Sequence, residues 1–521
     1  MKHGRISDSV VAPSSPFYHG AFGRICSKLT PWHPPQVSPS AADADLEAFF
    51  VSFANTNMIE APGKTPAEIV ADDALRQQLD AQFDSDIPAA YTYFGQFVDH
   101  DITLDTTPIS EAEVDPNRLR NFRTPRLDLD CVYGQGPGDQ PFLYDHSGPG
   151  FTGKMLTGTV PGTSFPDLLR NSEGRAIIGD MRNDENAIVA QIQLAFILAH
   201  NRLVDAAVAL GTPAGMPAFA QARRTLIWLY QWIVWKDFIR RVAVDDVFDC
   251  ALRMKKKCGE SGEWRLGLKH IYNWKHQPFM PVEFSVAAYR FGHSLARNSY
   301  QTNVSGDAGF NVFFPLFNVH GAASEDLSGF RPLAANRVVQ WDWFLHMDSS
   351  GGPFPQRTRK IDTKLANALG ALRENEDDPG SFDNVLPARN LVRSVRMKLP
   401  AGTDVARKFG LKPITLGADE PDALWFYILK EAETLPGANA GQMMGRVGSM
   451  IVCATFAGLL KGDGLSWVNQ HPHWCPDDDP LLTHILQTDD LKKDAGLSGN
   501  PDWSLASVIR LAGLPIDGSS F

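Results

Sequence analysis

The run from Tyr91 to Asp105, YTYFGQFVDHDITLD, sets an amide, a histidine and three acids into an otherwise apolar stretch. If it is helical, Gln96 and His100 share a face one turn apart. Asp99 then lies one step round from His100, and Asp101 points to the other side. A buried imidazole or carboxylate is costly without a partner, so each direction calls for a group elsewhere in the chain. Two plain readings compete: a satisfied core histidine on an apolar helix, and a DHD cluster of ligands for a divalent ion.

Three further stretches carry residues of the right type. TPRLDLD (124–130) offers oxygens at alternate positions: Thr124, the Arg126 carbonyl, Asp128 and Asp130. An extended loop wraps a hard cation in this way, and calcium takes six to eight such oxygens; the alternative is a solvated acidic loop. GDMRNDENAIVAQIQLAFILAHNRLVDAAVAL (179–210) has Ile188, Ile192, Ala195 and Leu198 at helical spacing. Asp180 or Asn183 can cap its start, and Arg182 and Glu185 would share a face there. Arg182 is a permanent cation, although a surface Arg–Glu pair would be worth little. MPVEFSVAAYRFGHSLARNSY reads as a helix from Pro281. His293 falls at its inner end, Arg290 one turn earlier, and Gly292 leaves room beside the imidazole for something flat.

These groups need a large scaffold, and 521 residues suffice for one. A net charge of -11 argues against a nucleic-acid or anionic-membrane partner. Residues 1–45, rich in Pro, Ser and His, read as an extended or disordered arm, and 46–521 as one catalytic domain. Helices are expected at 223–241, 423–434 and 440–461, with a long irregular region over 106–180. Alternating strand patterns are scarce, so the fold is expected to be mainly α, one large helical domain with long irregular loops and little β. Apolar runs such as IVAQIQLAFILA fall short of a membrane span, and no signal peptide is visible, which favours the cytoplasm, with signal-free secretion as the alternative. The six cysteines are too scattered for a disulfide scaffold, and Cys250 and Cys258 are expected to be thiols.

Taken in order, GQFVDHD, TPRLDLDCVYG, GDMRNDE with AHNRL, AYRFGH and RNLVRSVRMKLP resemble the animal-type haem peroxidases of the peroxidase–cyclooxygenase superfamily. The resemblance implies a peroxidase built on haem b and Ca2+, with hydrogen peroxide and a small electron donor as its partners. It would oxidise a halide, thiocyanate or small aromatic donor through an iron–oxo intermediate. His100 and Gln96 would be the distal histidine and amide, and Arg182 the distal arginine. His293 would be the proximal iron ligand, with Asn390 on its other ring nitrogen and Arg290 among the cofactor contacts. Asp99 and Glu185 match carboxylates that permit ester links to haem. Asp101, Thr124, Arg126 (carbonyl), Asp128 and Asp130 match a calcium site.

The sequence also departs from the family pattern. Asn186 stands where some members carry a haem-linked methionine, and RSVRMK after Asn390 differs from the usual run. The rival within the superfamily is a fatty-acid dioxygenase. Those enzymes carry a radical-forming tyrosine three residues before the proximal histidine, where this chain has Arg290. A metal hydrolase built on DHD lacks any HExxH-type spacing.

Overall fold

The computed structural model describes residues 22–104, 121–255 apart from 122 and 149, 262–274, 278–304, 313–317, 326–347, 355–494 apart from 373, 376 and 379, and 502–521. Among these, helices of ten or more residues are α1 (Asp43–Asn57), α2 (Asp73–Phe83), α3 (Ala90–Ile102), α4 (Ala187–Ala209), α5 (Met216–Ile233), α6 (Leu386–Arg396), α7 (Leu424–Glu433) and α8 (Arg446–Gly462). Among the described residues, strand is confined to four two-stranded antiparallel pairs, among them β1 (Asp84–Pro88) with β2 (Arg357–Arg359). The fold is mainly α, as the sparse alternation implied.

Helix α3 lies at the centre. Tyr91, Phe94, Phe97 and Val98 are at most 2% exposed, so its polar residues are carried into the interior by its apolar ones. Aromatic rings bind α3 to its neighbours: Phe97 stacks on Phe196 of α4 at 4.8 Å, and Tyr230 of α5 meets Phe196 edge-on at 5.6 Å. Such pairs add roughly 0.5–1.5 kcal/mol each beyond their burial. Helix α4 has 23 residues and enough apolar character to cross a membrane, more than the sequence reading allowed. Here it is an interior helix, enclosed by α3, α5 and the helix Leu505–Ala512.

Several boundaries differ from expectation for identifiable reasons. Helix α4 starts at Ala187 because Asn186 is extended and its side chain accepts from the Ile188 and Val189 amides (3.1 and 2.9 Å). Asp180 caps only a separate 3-10 turn, Met181–Asp184. The helix expected at 223–241 begins at Met216 and passes into a π turn, Val234–Ile239. That turn carries Asp237, which accepts from the Tyr91 hydroxyl at 2.5 Å and from Arg241 Nε at 2.8 Å. Helix α8 begins at Arg446, since Gly441 takes a positive φ of 72° that breaks a helical path. Of the N-terminal arm, residues 22–42 are irregular and docked: the Ile25 and Cys26 amides donate to Glu283 (3.1 and 2.8 Å). Residues 1–21 lie outside the described residues. Cys250 is a free thiol, and Cys258 also lies outside them.

One buried charge network ties the segment after His293 to the strand leading into α3. Arg359 donates to Glu60 and Asp80, each at 2.8 Å, and also pairs with Asp84. Arg297 reaches Asp84 at 2.6 Å and Asp80 at 2.8 Å. Removing one cation from such a set leaves carboxylates buried and uncompensated. Arg359→Met is therefore expected to destabilise the chain by about 3–5 kcal/mol, read as a lower midpoint in urea; a midpoint within experimental error of wild type would show that the network is dispensable.

Candidate active site

His100 sits on α3, 6% exposed, with Nδ1 2.7 Å from Asn183 Oδ1. Burial first, then the nearby Arg182 charge, push its pKa down to about 3, so the ring is neutral. Arg182 reaches it from the Met181–Asp184 turn. Its Nη2 donates to the His100 carbonyl (3.0 Å), the Thr103 carbonyl (2.7 Å) and Asp180 (2.7 Å). The guanidinium thus caps the C-terminal carbonyls of α3, where a cation is favoured. Arg182 does not pair with Glu185 on a helix face: both precede α4, and the 3-10 turn directs Arg182 to Asp180 instead.

Gln96, one turn before His100, is clasped from both sides. Its Nε2 donates to Glu185 Oε1, and its Oε1 accepts from Asn186 Nδ2 at 3.1 Å. Asn186 therefore holds the amide as well as capping α4. Burial raises Glu185 to about 7, and it also raises Asp99, whose Oδ1 accepts from the Thr103 hydroxyl at 3.0 Å.

His293 lies on a 3-10 helix, Ala288–Leu295, rather than at the end of an α-helix. The short helix Val282–Val286, with Pro281 as its N-cap, breaks at Ala287 (φ -127°, ψ -71°). Tyr289 links this turn to α3 by donating to the Gly95 carbonyl at 3.1 Å. Asn390 of α6 does lie at His293: its Nδ2 donates to Nδ1 at 2.8 Å, while its Oδ1 accepts from Arg290 Nη1 at 2.8 Å. Because a guanidinium can only donate, the amide oxygen faces Arg290 and the amide nitrogen faces the ring. Burial, then Arg290 and Arg389, lower His293 to about 3.

Between these two sides lies a cavity lined by Asp99, Thr103, Arg182, Ser285, Arg290 and Arg393, among others. A Cβ on Gly292 would meet no atom within 4 Å, so there is open space beside His293. Neither His100 Nε2 nor His293 Nε2 has a hydrogen-bond partner among the described residues.

Asp101, pointing away from His100, meets Asp128 and Asp130, with one oxygen from each within 4.8 Å of the others. Burial and mutual repulsion push all three carboxyls up. Asp128 Oδ1 is buried and without a partner among the described residues. Thr124 donates to Asp128 Oδ2 at 2.9 Å, and the Arg126 side chain extends towards Asp463 at 3.8 Å.

Residues 106–309 match the family model described as animal haem peroxidase. Over that stretch the chain is similar to the animal haem peroxidases. Rat (Rattus norvegicus) thyroid peroxidase is 26% identical over 404 residues, 69% of this chain and 40% of the relative. A peroxidase-like protein of Margaritifera margaritifera is 26% identical over 268 residues, 42% of this chain and 32% of the relative. The chain thus spans less than half the length of these curated relatives. Among solved structures, peroxidase A from Dictyostelium discoideum superposes with a TM-score of 0.58 at 14% identity, covering 95% of this chain and 94% of that one. A fatty acid alpha-dioxygenase from Oryza sativa gives 0.52 at 15% identity, covering 79% and 75%.

The family match takes in the acidic loop, Arg182, Glu185 and His293, but begins after α3 and ends before Asn390. The structure nevertheless brings Gln96, Asp99, His100, Arg182 and Glu185 together on one side, and Arg290, His293 and Asn390 together on the other. Arg123 and Gln193 escaped the sequence reading, and Asn183 was read there only as a possible helix cap. Arg123 pairs with both Asp130 (3.1 Å) and Asp180. Asn183 and Gln193 stand behind His100; a glutamine inside so apolar a helix was the available signal for the second. The AHNRL histidine is structural: His200 Nδ1 meets the Tyr133 hydroxyl and Nε2 the Gly153 carbonyl, both at 3.0 Å.

Asp180 joins these parts. Burial alone would raise its pKa, but Arg182 and Arg123 outweigh that and hold the carboxyl well below its usual range. Asp180→Ala leaves two guanidiniums without their shared anion and is expected to cost about 3–5 kcal/mol, measured by equilibrium unfolding. A loss under 1 kcal/mol would mean that the pairs contribute no more than exposed ones do.

Proposed function

We propose that the chain is a haem-dependent peroxidase that reduces hydrogen peroxide and oxidises a halide, thiocyanate or small aromatic donor. The observation that carries this reading is the neutral, buried His100, held at Nδ1 by an amide and backed by Arg182, which lines one cavity with Arg290 from the His293 side. The residues present suit a haem: two imidazoles each with Nε2 unengaged among the described residues, space beside Gly292, and Arg290 and Arg393 in the cavity lining as cations for its carboxylates. Bound there, haem supplies the iron and the redox equivalents that the side chains lack.

His293 would hold the iron through Nε2, which requires a lone pair on that nitrogen. Asn390 must then turn its Oδ1 to accept from Nδ1–H, and a haem carboxylate competing for Arg290 would free that oxygen. On the distal side, His100 Nε2 takes the proton from the inner oxygen of peroxide and returns it to the outer oxygen, which leaves as water. Arg182 Nη1, uncommitted among the described residues, offers fixed positive charge to the oxygen that gains electrons. Gln96 is oriented by Glu185 and Asn186 to bind a distal water or halide. Asp99 and Glu185 are the carboxylates available for ester links.

Asp101, Asp128 and Asp130, with the Thr124 hydroxyl and Arg126 carbonyl, would bind Ca2+. An all-oxygen donor set with an orphaned buried Asp128 oxygen suits a hard cation. The cation would fix the base of α3 without entering the chemistry.

A second reading, oxygenation of a fatty acid, draws on the likeness to the alpha-dioxygenase fold. Against it, Tyr289 donates its hydroxyl to Gly95 and stacks on Phe284 at 4.8 Å, so it is held by α3 and aromatic packing. Arg290 occupies the position that the oxygenase tyrosine would take.

Two sets of measurements test this proposal. In haem-supplied protein, His293→Ala is expected to lose the Soret band. His100→Leu and Arg182→Leu should keep it but respond to peroxide ~10²–10⁴-fold more slowly; unchanged rates would contradict the distal assignment. For the cation, calcium at ~100 times its Kd should stabilise chelator-treated protein by about 2.7 kcal/mol and leave Asp128→Asn unmoved. No shift in wild type would remove calcium from the account.

A further inference from the structure

We propose that Asn183 is the positioning residue that fixes the proton of His100 on Nδ1, and that Gln193 fixes Asn183 in turn. The inference rests on the distal role proposed for His100 and explains how that role is enforced. Gln193 Nε2 lies 3.3 Å from the Cys131 carbonyl oxygen, Gln193 Oε1 lies 2.8 Å from Asn183 Nδ2, and Asn183 Oδ1 lies 2.7 Å from His100 Nδ1. A backbone carbonyl can only accept. The atom of Gln193 facing Cys131 must therefore be its nitrogen, which turns Oε1 towards Asn183. That oxygen also only accepts, so Asn183 presents Nδ2 to it and Oδ1 to His100. Oδ1 in turn requires a proton on Nδ1. A neutral imidazole carries one ring proton, so Nε2 is left with its lone pair.

One main-chain carbonyl thus dictates every orientation in the relay. Asn183 and Gln193 are both 0% exposed, so bulk water cannot substitute for either amide. The anchor is itself held, since the Cys131 amide lies 3.5 Å from Asp101 Oδ1 and points back at α3. The contrast with His293 is chemical. There the amide presents a donor to Nδ1; at His100 it presents an acceptor. Only the second arrangement supplies a ready base at Nε2. With an apolar residue at 183, the ring would lose its reason to keep the proton on Nδ1 and would be free to turn.

The test uses the full chain supplied with haem and compares Asn183→Leu, Asn183→Asp, Gln193→Leu and His100→Leu with wild type. Two rates are read: the peroxide-induced Soret change, and the association of cyanide, which enters as HCN and must lose its proton to a distal base without turnover. Asn183→Leu is expected to slow both by at least ~10-fold at unchanged haem content. Asn183→Asp, which keeps an acceptor for Nδ1–H, should recover most of the loss. Gln193→Leu, which leaves Asn183 in place but free to turn, should give a smaller loss in the same direction, and it carries the test should the substitutions at 183 fail to fold. The inference is overturned if Asn183→Leu and Gln193→Leu match wild type while His100→Leu is slow. It is also overturned if Asn183→Asp is as slow as Asn183→Leu at equal haem content, since a purely structural role predicts that. Wild-type rates in His100→Leu would sink the distal assignment and this inference together.

Discussion

The carboxylate of Asp180 is the contact on which the site depends. It sits almost fully buried between the guanidiniums of Arg123 and Arg182, and each arginine carries the constraint onward. Arg182 continues to the carbonyls of His100 and Thr103 and so fixes the end of α3. Arg123 continues to Asp130 and so fixes the acidic loop that also meets Asp101 on the far side of α3. Burial first, then the Arg182 charge, keeps the His100 ring unprotonated, and Asp180 opposes that effect only in part. Through Arg182 the same carboxylate therefore places the cation that acts on His100.

Both imidazoles are neutral, and the proton is placed differently on each. At His100 an amide oxygen takes the Nδ1 proton, an arrangement suited to a base. At His293 an amide nitrogen donates to Nδ1 while Arg290 holds the amide oxygen. The side that would bind iron is thus the side where an arginine and an amide must rearrange, whereas the distal side is set in advance by a relay ending on main chain. Preorganised acid–base groups need no rearrangement at the moment of reaction. A ligand that arrives with its own carboxylates can drive the change that it needs.

The sequence made α3 legible because polar residues in an apolar run are conspicuous, and Gln96, Asp99, His100 and Asp101 all take up the directions helical spacing gives them. The acidic loop was legible from its alternate oxygens. Asp180 was not: it was read as a helix cap, and residues two apart do not face each other on a helix. Only the 3-10 turn, and the later start of α4 at Asn186, bring Asp180 and Arg182 together. The break at Ala287 has no glycine or proline to announce it and follows from tertiary packing. Asn390 lies 97 residues from His293 and was reached only through family resemblance. Asn183 was also read as a helix cap, because its partner on α3 is 83 residues away.

The most direct test of the account is an absorption spectrum of the full chain supplied with haem, before and after one equivalent of hydrogen peroxide. The account predicts a Soret band at about one haem per chain that shifts with peroxide and returns on adding iodide or guaiacol. A band inert to peroxide, or no Soret band at all, would contradict it.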